Sequence, residues 1–329
     1  MQQHLGHARA LAALGLAFLI TPLSSAWAQA PAWPTKPVRL VVGFAAGGPT
    51  DVVARGFAEQ AGKDLGQAVV VDNRPGANTI IAAEAVANAS DGHTLLMAAT
   101  NHTMIPALYS ERIKFDAVHS FKPVCRIASA PTVLVVRPSL PVKSLGEFVE
   151  RARAAPRSIT YATPGIGSSV HFASELFARQ AAVKLTHVPY KGAAPAVADV
   201  MAGEVDASFA TLGSVLPLIK SGKLTALALA HPQRSAQLPG VPTFAEAGFK
   251  DYAANAWYGL LAPAATPEPV MALLQREARA YASSAAGADK LRSLGMEPQV
   301  QCGDPFAQDV AHETAVWTQI AQQLKLKVD

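Results

Sequence analysis

The sequence predicts an α/β fold built on parallel sheets, and three observations support that prediction. Short runs of β-branched and apolar residues alternate with segments of helical spacing, which is the strand–helix–strand rhythm of a parallel sheet. Two of these strands end in glycine-bearing turns that lead directly into helices. The chain is 50% hydrophobic and only 16% charged, so it has enough apolar residues for a sizeable core.

Residues 38–55 form the first strand–turn–helix unit. After the strand, Gly47 and Gly48 permit backbone conformations that a side chain would forbid, and Thr50 or Asp51 is positioned to N-cap the helix. A helix N-terminus presents free N–H donors and a positive dipole end. This unit is therefore predicted to bind an anionic or strongly polar group, with an ordinary tight turn as the alternative.

The same signals predict the remaining elements. Further strands are expected over residues 67–71, 94–99, 132–137, 159–162, 187–190, 205–210, 224–230 and 257–261. Helices are expected over residues 79–88, 170–180, 267–285 and 305–324, after Lys191 up to Gly203, and after the capping box of Ser144 and Glu147. The polar segment 100–103 follows a predicted strand, so it should lie near the first glycine turn at the carboxyl edge of the sheet.

Residues 163–169 repeat the design of the first unit in the second half of the chain: a strand, a turn with Gly165 and Gly167, and a helix. Ser168 and Ser169 do not lie in a G-x-S-x-G nucleophile elbow, and no histidine or acid is placed by the sequence to activate them. We interpret them as hydroxyl donors at a helix start. Two such helix N-termini predict a cleft with one anion-binding wall in each half.

Residues 1–30 have the features of a secretory signal peptide, with cleavage expected after Ala28 or Ala30. The apolar run is too short to span a bilayer stably, and no later segment reaches the roughly 18 uninterrupted apolar residues of a membrane helix. We therefore expect a soluble, exported protein. The formal charge of +4 falls to +3 when Arg9 is removed. This mild charge forms no basic stripe, which argues against a nucleic-acid partner.

The chain has two cysteines, Cys125 and Cys302. In an oxidising compartment they favour one disulfide, with two buried thiols as the alternative. The absence of C-x-x-C argues against a zinc or thioredoxin-like site. His171 and Glu175 share a predicted helix face but lack an evident third ligand, so no metal and no cofactor is expected.

Several motifs together resemble one known family. They lie at residues 33–37, 44–51, 73–77, 91–96, 163–168, 187–192, 241–248 and the strand at Trp257. In this order, over nearly all of the mature chain, the sequence resembles the Bug/TctC family, the periplasmic receptors of tripartite tricarboxylate transporters. Many members carry prolines at Ala45 and Ala46, an asparagine at Ile166 and an acid at Thr211, so the substrate of another member is not transferred to this chain.

The resemblance implies a two-domain periplasmic binding protein of the Venus-flytrap type with crossing hinge strands. Domain 1 would comprise residues 31–130 plus 252–329, and domain 2 residues 131–251. The ligand would be a small carboxylate held by main-chain groups and hydroxyls, with a contribution from ordered water. The implied ligand-binding residues are Phe44, Ala45, Ala46, Gly47, Gly48, Asp51, Thr100, His102, Thr163, Gly165, Gly167, Ser168, Ser169, Lys191, Gly192 and Ala193.

These features favour a monomeric receptor, not an enzyme, that delivers its solute to membrane transporter subunits. A receptor that feeds a signalling system is the alternative. A secreted hydrolase would need an activated nucleophile that the sequence does not supply, and a structural envelope protein would not need paired glycine-turn helix starts. The identity of the carboxylate stays open.

Overall fold

Two β-sheets organise the chain in the computed structural model, which describes residues 33–190, 192–250, 252 and 254–324. The predicted signal peptide, residues 1–30, and the candidate binding residue Lys191 lie outside the described residues. By its internal contacts the chain divides into Met1–Trp33 and Pro34–Asp329, and the description below concerns the second unit. Within the described residues, no helix is long and apolar enough to cross a bilayer.

The strands are numbered in chain order. They are β1 (Val38–Val42), β2 (Val69–Asn73), β3 (Thr94–Ala99), β4 (Phe121–Ala130), β5 (Thr132–Val136), β6 (Thr160–Thr163), β7 (Thr186–Pro189), β8 (Ala207–Thr211), β9 (Thr225–Ala230), β10 (Ala256–Pro263) and β11 (Glu297–Cys302).

The helices are numbered in the same way. They are α1 (Pro49–Leu65), α2 (Ile80–Ala87), α3 (Asn101–Tyr109), α4 (Leu145–Ala154), α5 (Ser169–Gln180), α6 (Ala193–Ala202), α7 (Leu212–Lys220), α8 (Glu268–Ser283), α9 (Ala285–Ser293) and α10 (Asp304–Leu324). A 3₁₀ turn, Ala77–Thr79, precedes α2.

Both sheets are mixed rather than purely parallel. The six-stranded sheet has the order β11-β4-β10-β3-β1-β2, and the five-stranded sheet the order β7-β6-β8-β5-β9. β1 is parallel to β2 and β3, and β6 is parallel to β7 and β8. The antiparallel pairs involve β4, β5 and β10, the strands that carry the chain from one sheet to the other.

The chain changes sheets twice, between β4 and β5 and again between β9 and β10. We call the six-stranded sheet with its helices the first lobe, and the five-stranded sheet with α4 to α7 the second lobe. The predicted α/β fold of two domains joined by crossing strands is confirmed. The domain boundaries at residues 130/131 and 251/252 stay a prediction.

Each lobe has its own apolar core. The central strands β3 and β10 are buried along their whole length, as expected for strands covered on both faces. In the second lobe Phe177 of α5 packs against Phe209, Phe244 and Tyr252 with ring centroids 5.5, 5.6 and 6.2 Å away. This aromatic cluster fixes α5, and with it the turn that precedes the helix.

A disulfide joins Cys125 of β4 to Cys302 of β11, at opposing positions of paired strands. The two cysteines are 177 residues apart in sequence, so the bond ties the C-terminal segment into the first lobe.

The structure departs from the expected elements in several places. Strands β4 and β11 and helices α7 and α9 were absent from the sequence-based expectation, and the helix predicted over residues 267–285 corresponds to α8. Ser284 caps α9 by accepting a hydrogen bond from the Gly287 N–H, which explains the break between α8 and α9. The polar segment 100–103 is not a loop but the start of α3.

Candidate functional site

The first wall of the candidate site is the loop that joins β1 to α1. The helix starts at Pro49, and its N-cap is Gly48, which has no side chain to accept a hydrogen bond. The prediction that Thr50 or Asp51 caps this helix is therefore wrong. Proline is favoured at the first helical position because an N–H there has no intrahelical partner. The N–H groups without an intrahelical partner therefore belong to the residues that follow Pro49 in the first turn.

Asp51 holds this loop instead of capping the helix. Its Oδ2 accepts from the Gly47 N–H at 2.8 Å and from Arg55 Nε at 2.8 Å, and its Oδ1 accepts from Asn73 Nδ2 at 2.9 Å. Asn73 Nδ2 also donates to Phe44 O at 3.0 Å. Burial raises the pKa of Asp51, but the hydrogen bonds from Arg55, Gly47 and Asn73 outweigh it and hold the pKa below its usual value. The loop conformation thus depends on an ionised, enclosed carboxylate.

A left-handed turn lies beside this loop. Ala77, Asn78 and Thr79 have φ values of 46°, 50° and 73°, a region that costs non-glycine residues free energy. Asn101 stabilises the turn because its Nδ2 donates to Asn78 O at 3.1 Å and to Thr79 Oγ1 at 2.8 Å. A Cβ on Gly43 would lie 2.4 Å from Thr79 Cβ, so only glycine allows this close approach.

The second wall is the turn between β6 and α5. Gly165 and Gly167 have φ values of 141° and 79°, so both positions require glycine. Ser168 is the N-cap of α5: its Oγ accepts from the His171 N–H at 3.3 Å and donates to Gly165 O at 2.8 Å. The Ser168 hydroxyl therefore bonds within the turn itself, and a bond from it to a solute stays a prediction.

The start of α6 lies against the same turn. Gly192, with φ 131°, is its N-cap and donates its N–H to Pro164 O at 3.0 Å, while Tyr190 N donates to Thr163 O at 3.0 Å. The N-termini of α5 and α6 are thus adjacent. Both leave backbone N–H groups in their first turns without an intrahelical partner.

The two walls meet through direct contacts between the lobes. Asn78 Nδ2 of the first lobe donates to Gly167 O of the second at 3.2 Å. A Cβ on Gly167 would lie 2.7 Å from Leu108 Cδ1 of α3. Behind this contact, Phe172 packs edge-to-face on Trp317 of α10 with centroids 5.3 Å apart.

A further contact joins the lobes on another side. A Cβ on Gly213 of α7 would lie 1.9 Å from Leu294 O, and Gln237 Nε2 donates to Arg292 O at 2.5 Å. The three segments of the site are neighbours: the first loop contacts the left-handed turn through Gly43 and Thr79, and the left-handed turn contacts the second-lobe turn through Asn78 and Gly167.

The residues predicted for the site fall into three groups. Ala45, Ala46 and Gly47 are exposed on the first loop. Half-buried positions are Phe44, Gly48, Gly165, Ser168, Ser169, Gly192 and Ala193. Asp51, Thr100, His102, Thr163 and Gly167 are enclosed. The first four lie beneath the wall surface with their side chains, and Gly167 contributes backbone only.

Thr100 and His102 lie at the carboxyl end of β3, as expected, but inside the lobe. Thr100 Oγ1 accepts from Trp257 N at 2.6 Å, and His102 Nε2 donates to Ala117 O at 2.8 Å. Burial lowers the pKa of His102 to about 4. His102 and Phe44 line a small cavity of about 10 Å³, which places the strand end next to the first loop.

Asn73, Asn78 and Asn101 are site residues that the sequence analysis missed. Each acts through its side-chain amide on backbone of another segment. Asparagine tolerates the left-handed region, and Asn78 two residues after Gly76 is the one signal that could have indicated such a turn. Among the described residues, no group of three or more His, Cys, Asp and Glu side chains is placed to hold a metal ion.

Solved structures define the class of this protein. An R. palustris protein with adipate superposes with a TM-score of 0.82 at 34% sequence identity, covering 90% of this chain and 100% of that one. MatC from Rhodopseudomonas palustris, with bound malate, superposes with a TM-score of 0.77 at 32% identity, covering 88% of this chain and 99% of that one. The fold is that of a two-lobed periplasmic solute-binding protein.

The family follows from the sequence. Residues 53–326 match the model of the tripartite tricarboxylate transporter family receptor, TctC. Protein BugT of Bordetella pertussis is 33% identical over 322 residues, which is 97% of this chain and 98% of BugT. The chain belongs to the TctC family of periplasmic receptors, and the predicted resemblance is confirmed.

Proposed function

We propose that this protein captures a small carboxylate between its lobes and delivers it to a tripartite tricarboxylate-type transporter. It acts as a receptor and does not transform the solute. The observation that carries the proposal is the continuous path from the α1 loop through the Asn78 turn to Gly167, with helix N-termini on both sides. The adipate and malate in the related structures support a carboxylate as the ligand class.

Main-chain donors are sufficient for such a ligand. The first turns of α1, α5 and α6 leave N–H groups without intrahelical partners, and their dipoles favour an anion by roughly 0.3–1 kcal/mol each. A hydrogen bond to a charged acceptor contributes roughly 1.5–3 kcal/mol net. A handful of these bonds gives micromolar binding, about −8 kcal/mol, without a salt bridge.

Closure of the lobes follows from the same geometry. Donors on both walls reach one carboxylate only when the lobes are close together, so the ligand stabilises the closed form by its differential affinity for that form. The interlobe bond from Asn78 to Gly167 belongs to this closed arrangement.

Isothermal calorimetry tests the proposal with adipate, malate, citrate and benzoate as probes and adipamide as the uncharged counterpart of adipate. We expect at least one acid to bind in the micromolar range and adipamide not to bind. Mass spectrometry of the recovered acid should find it unchanged. Binding of an uncharged solute but none of the acids, or conversion of the acid, would contradict the proposal.

Two substitutions test whether main chain or side-chain charge holds the ligand. Gly48→Val should abolish binding while leaving the fold intact, because its Cβ would meet only Ala45 O at 3.5 Å. Gly146→Val on the exposed side of α4 is the matched control. Lys191→Met should matter less. If Lys191→Met alone abolishes binding and Gly48→Val is silent, a cationic side chain holds the ligand.

The transporter role and the processing need separate tests. Uptake of the labelled acid should require both this receptor and the membrane subunits, whereas a sensing role would leave uptake intact when the receptor is deleted. N-terminal sequencing of exported protein should find a start after Ala28 or Ala30. A chain that starts at Met1 would refute the processing.

A further inference from the structure

Three stacked rings lie beneath the second-wall turn. The imidazoles of His171 on α5 and His187 on β7 are stacked with centroids 4.2 Å apart and planes inclined by 14°. Tyr161 of β6 also stacks on His187, at 4.9 Å and 18°. His171 is only 5% exposed and His187 is half-buried, and both contact residues of the turn.

Each imidazole binds a different end of the turn. Gly167 N donates to His171 Nδ1 at 3.2 Å, and Thr163 Oγ1 lies 2.7 Å from His187 Nε2. Gly167 is also the residue whose carbonyl accepts from Asn78 of the first lobe. The histidine pair therefore determines the position of the segment that meets the opposite wall.

This arrangement requires a neutral His171. An imidazole nitrogen accepts a hydrogen bond only when it carries no proton. Protonation of Nδ1 would therefore break the bond from the Gly167 N–H and place two N–H donors next to each other. A charge on His171 would also lie against the face of His187. Burial lowers the pKa of His171 to about 4. Burial, with His171 as a second cause, lowers the pKa of His187 to about 4, and Glu175 opposes this shift.

The other titratable groups around the pair are few among the described residues. Glu175 lies one turn along α5 from His171 and accepts a hydrogen bond from the Tyr161 hydroxyl. Tyr252 donates its hydroxyl to Ala173 O on the same helix at 2.9 Å. None of these side chains donates to or accepts from His171.

We propose that His171 and His187 are positioning residues of the solute site: neutral, they hold the second-wall turn in its binding conformation, and protonation of the pair releases the turn. The proposal rests on the proposed function for its binding readout. Affinity should be level in neutral solution and fall as the pH drops through the range in which the pair takes up a proton. The ligand's own carboxylate titrates in the same range, so the decisive quantity is the difference between variants.

The test compares His171→Asn with His171→Leu. Asparagine places an amide oxygen close to the position of Nδ1 and does not titrate. His171→Asn should therefore bind the acid found by calorimetry within about threefold of the wild type at pH 7.5, with a flatter profile down to pH 4. His171→Leu, which removes the acceptor, should bind about tenfold more weakly at every pH. His119→Asn is the control, since the His119 side chain is 85% exposed and pairs with Asp116.

A second readout does not need a ligand. In ¹⁵N-resolved NMR of the wild type, the Gly167 amide resonance should shift with the same midpoint as the His171 ring. In His171→Asn, where only His187 of the pair still titrates, the shift over this range should be much smaller. If no acid binds at all, the proposed function fails, and this titration alone then decides the role of the pair. Superimposable pH profiles for wild type and His171→Asn, or a Gly167 amide that ignores the His171 titration, would overturn the proposal.

Discussion

Replacing Asp51 with alanine should be far more damaging than the loss of an ordinary acidic residue from the first turn of a helix. Its side chain is 2% exposed and accepts three hydrogen bonds, from Gly47, Arg55 and Asn73. A hydrogen bond to a charged group contributes about 1.5–3 kcal/mol, so losing the two from Gly47 and Asn73 alone should cost about 3–6 kcal/mol. We therefore expect Asp51→Ala to lower the free energy of unfolding by that amount and to abolish ligand binding, because the Gly47 N–H loses its partner and the loop its conformation.

Urea unfolding, followed by tryptophan fluorescence and circular dichroism, measures the loss. Arg55→Met is the matched control because it removes the other partner of the ion pair, whose side chain is 54% exposed. The bonds from Gly47 and Asn73 still reach the carboxylate in this variant, so it should lose only the contribution of one hydrogen bond to a charged group, about 1.5–3 kcal/mol. The reasoning fails if Asp51→Ala costs less than about 1 kcal/mol, or if Arg55→Met is equally damaging.

The pH dependence provides an independent check on the same carboxylate. Because the pKa of Asp51 is lower in the folded protein than its ordinary value of 3.8, its stabilisation is present above that value and is lost as the pH falls below it. The difference in unfolding free energy between wild type and Asp51→Ala should therefore narrow below about pH 4. A difference that stays constant down to pH 2.5 would contradict the assignment.

Three further substitutions test the strained turn, the interlobe contact and the disulfide. Ala77→Gly should raise the free energy of unfolding by up to about 1 kcal/mol. The left-handed strain that glycine removes from the folded state exceeds the conformational entropy that it adds to the unfolded chain. A loss of stability in urea would contradict this. Gly213→Ala places a methyl group 1.9 Å from Leu294 O, so it should cost about 1–3 kcal/mol of closure and weaken binding in calorimetry by tenfold or more, whereas unchanged affinity would refute a rigid contact. Replacing Cys125 and Cys302 together with serine should lower the unfolding free energy by about 2–5 kcal/mol, and two alkylatable thiols in the unreduced wild type, found by intact mass, would exclude the bond.

The elements that the sequence predicted well have local signals. Strand β3 was expected over residues 94–99 and spans Thr94–Ala99, and the capping box at Ser144 starts α4 as predicted. In both cases the sequence signal, an apolar run or a capping box, lies within a few consecutive residues. The glycine turns before α1 and α5 could be predicted for the same reason, because the backbone conformation that requires glycine is a local property of the turn.

The elements that were missed depend on distant partners. β4 contains Lys122, Pro123 and Arg126, and β11 is largely polar, so neither has the alternation that indicates a strand. They are strands because β10 pairs with β4 and β11 is joined to β4 by pairing and by the disulfide. Such long-range pairing overrides weak local propensity.

The candidate site shows the same division. The backbone donors of the two walls could be inferred from Gly47, Gly48, Gly165 and Gly167. The asparagine side chains that hold those walls could not, because Asn73 and Asn78 each act on a segment that is distant in the sequence. Ser168 also uses its hydroxyl within its own turn as the cap of α5, which the sequence interpretation did not include.

The strand order has a consequence for the order in which the lobes can fold. All strands of the five-stranded sheet lie within residues 132–230, whereas the six-stranded sheet needs residues 256–302, and β10 stands between β3 and β4. A chain that becomes available for folding from its N-terminus onward can therefore complete the second lobe while β3 and β4 still have unpaired edges. Such edges pair readily with other chains, so the half-emerged protein is most vulnerable to aggregation before its last quarter arrives. A truncation just before β10 should leave a folded second lobe attached to an aggregating remnant of the first.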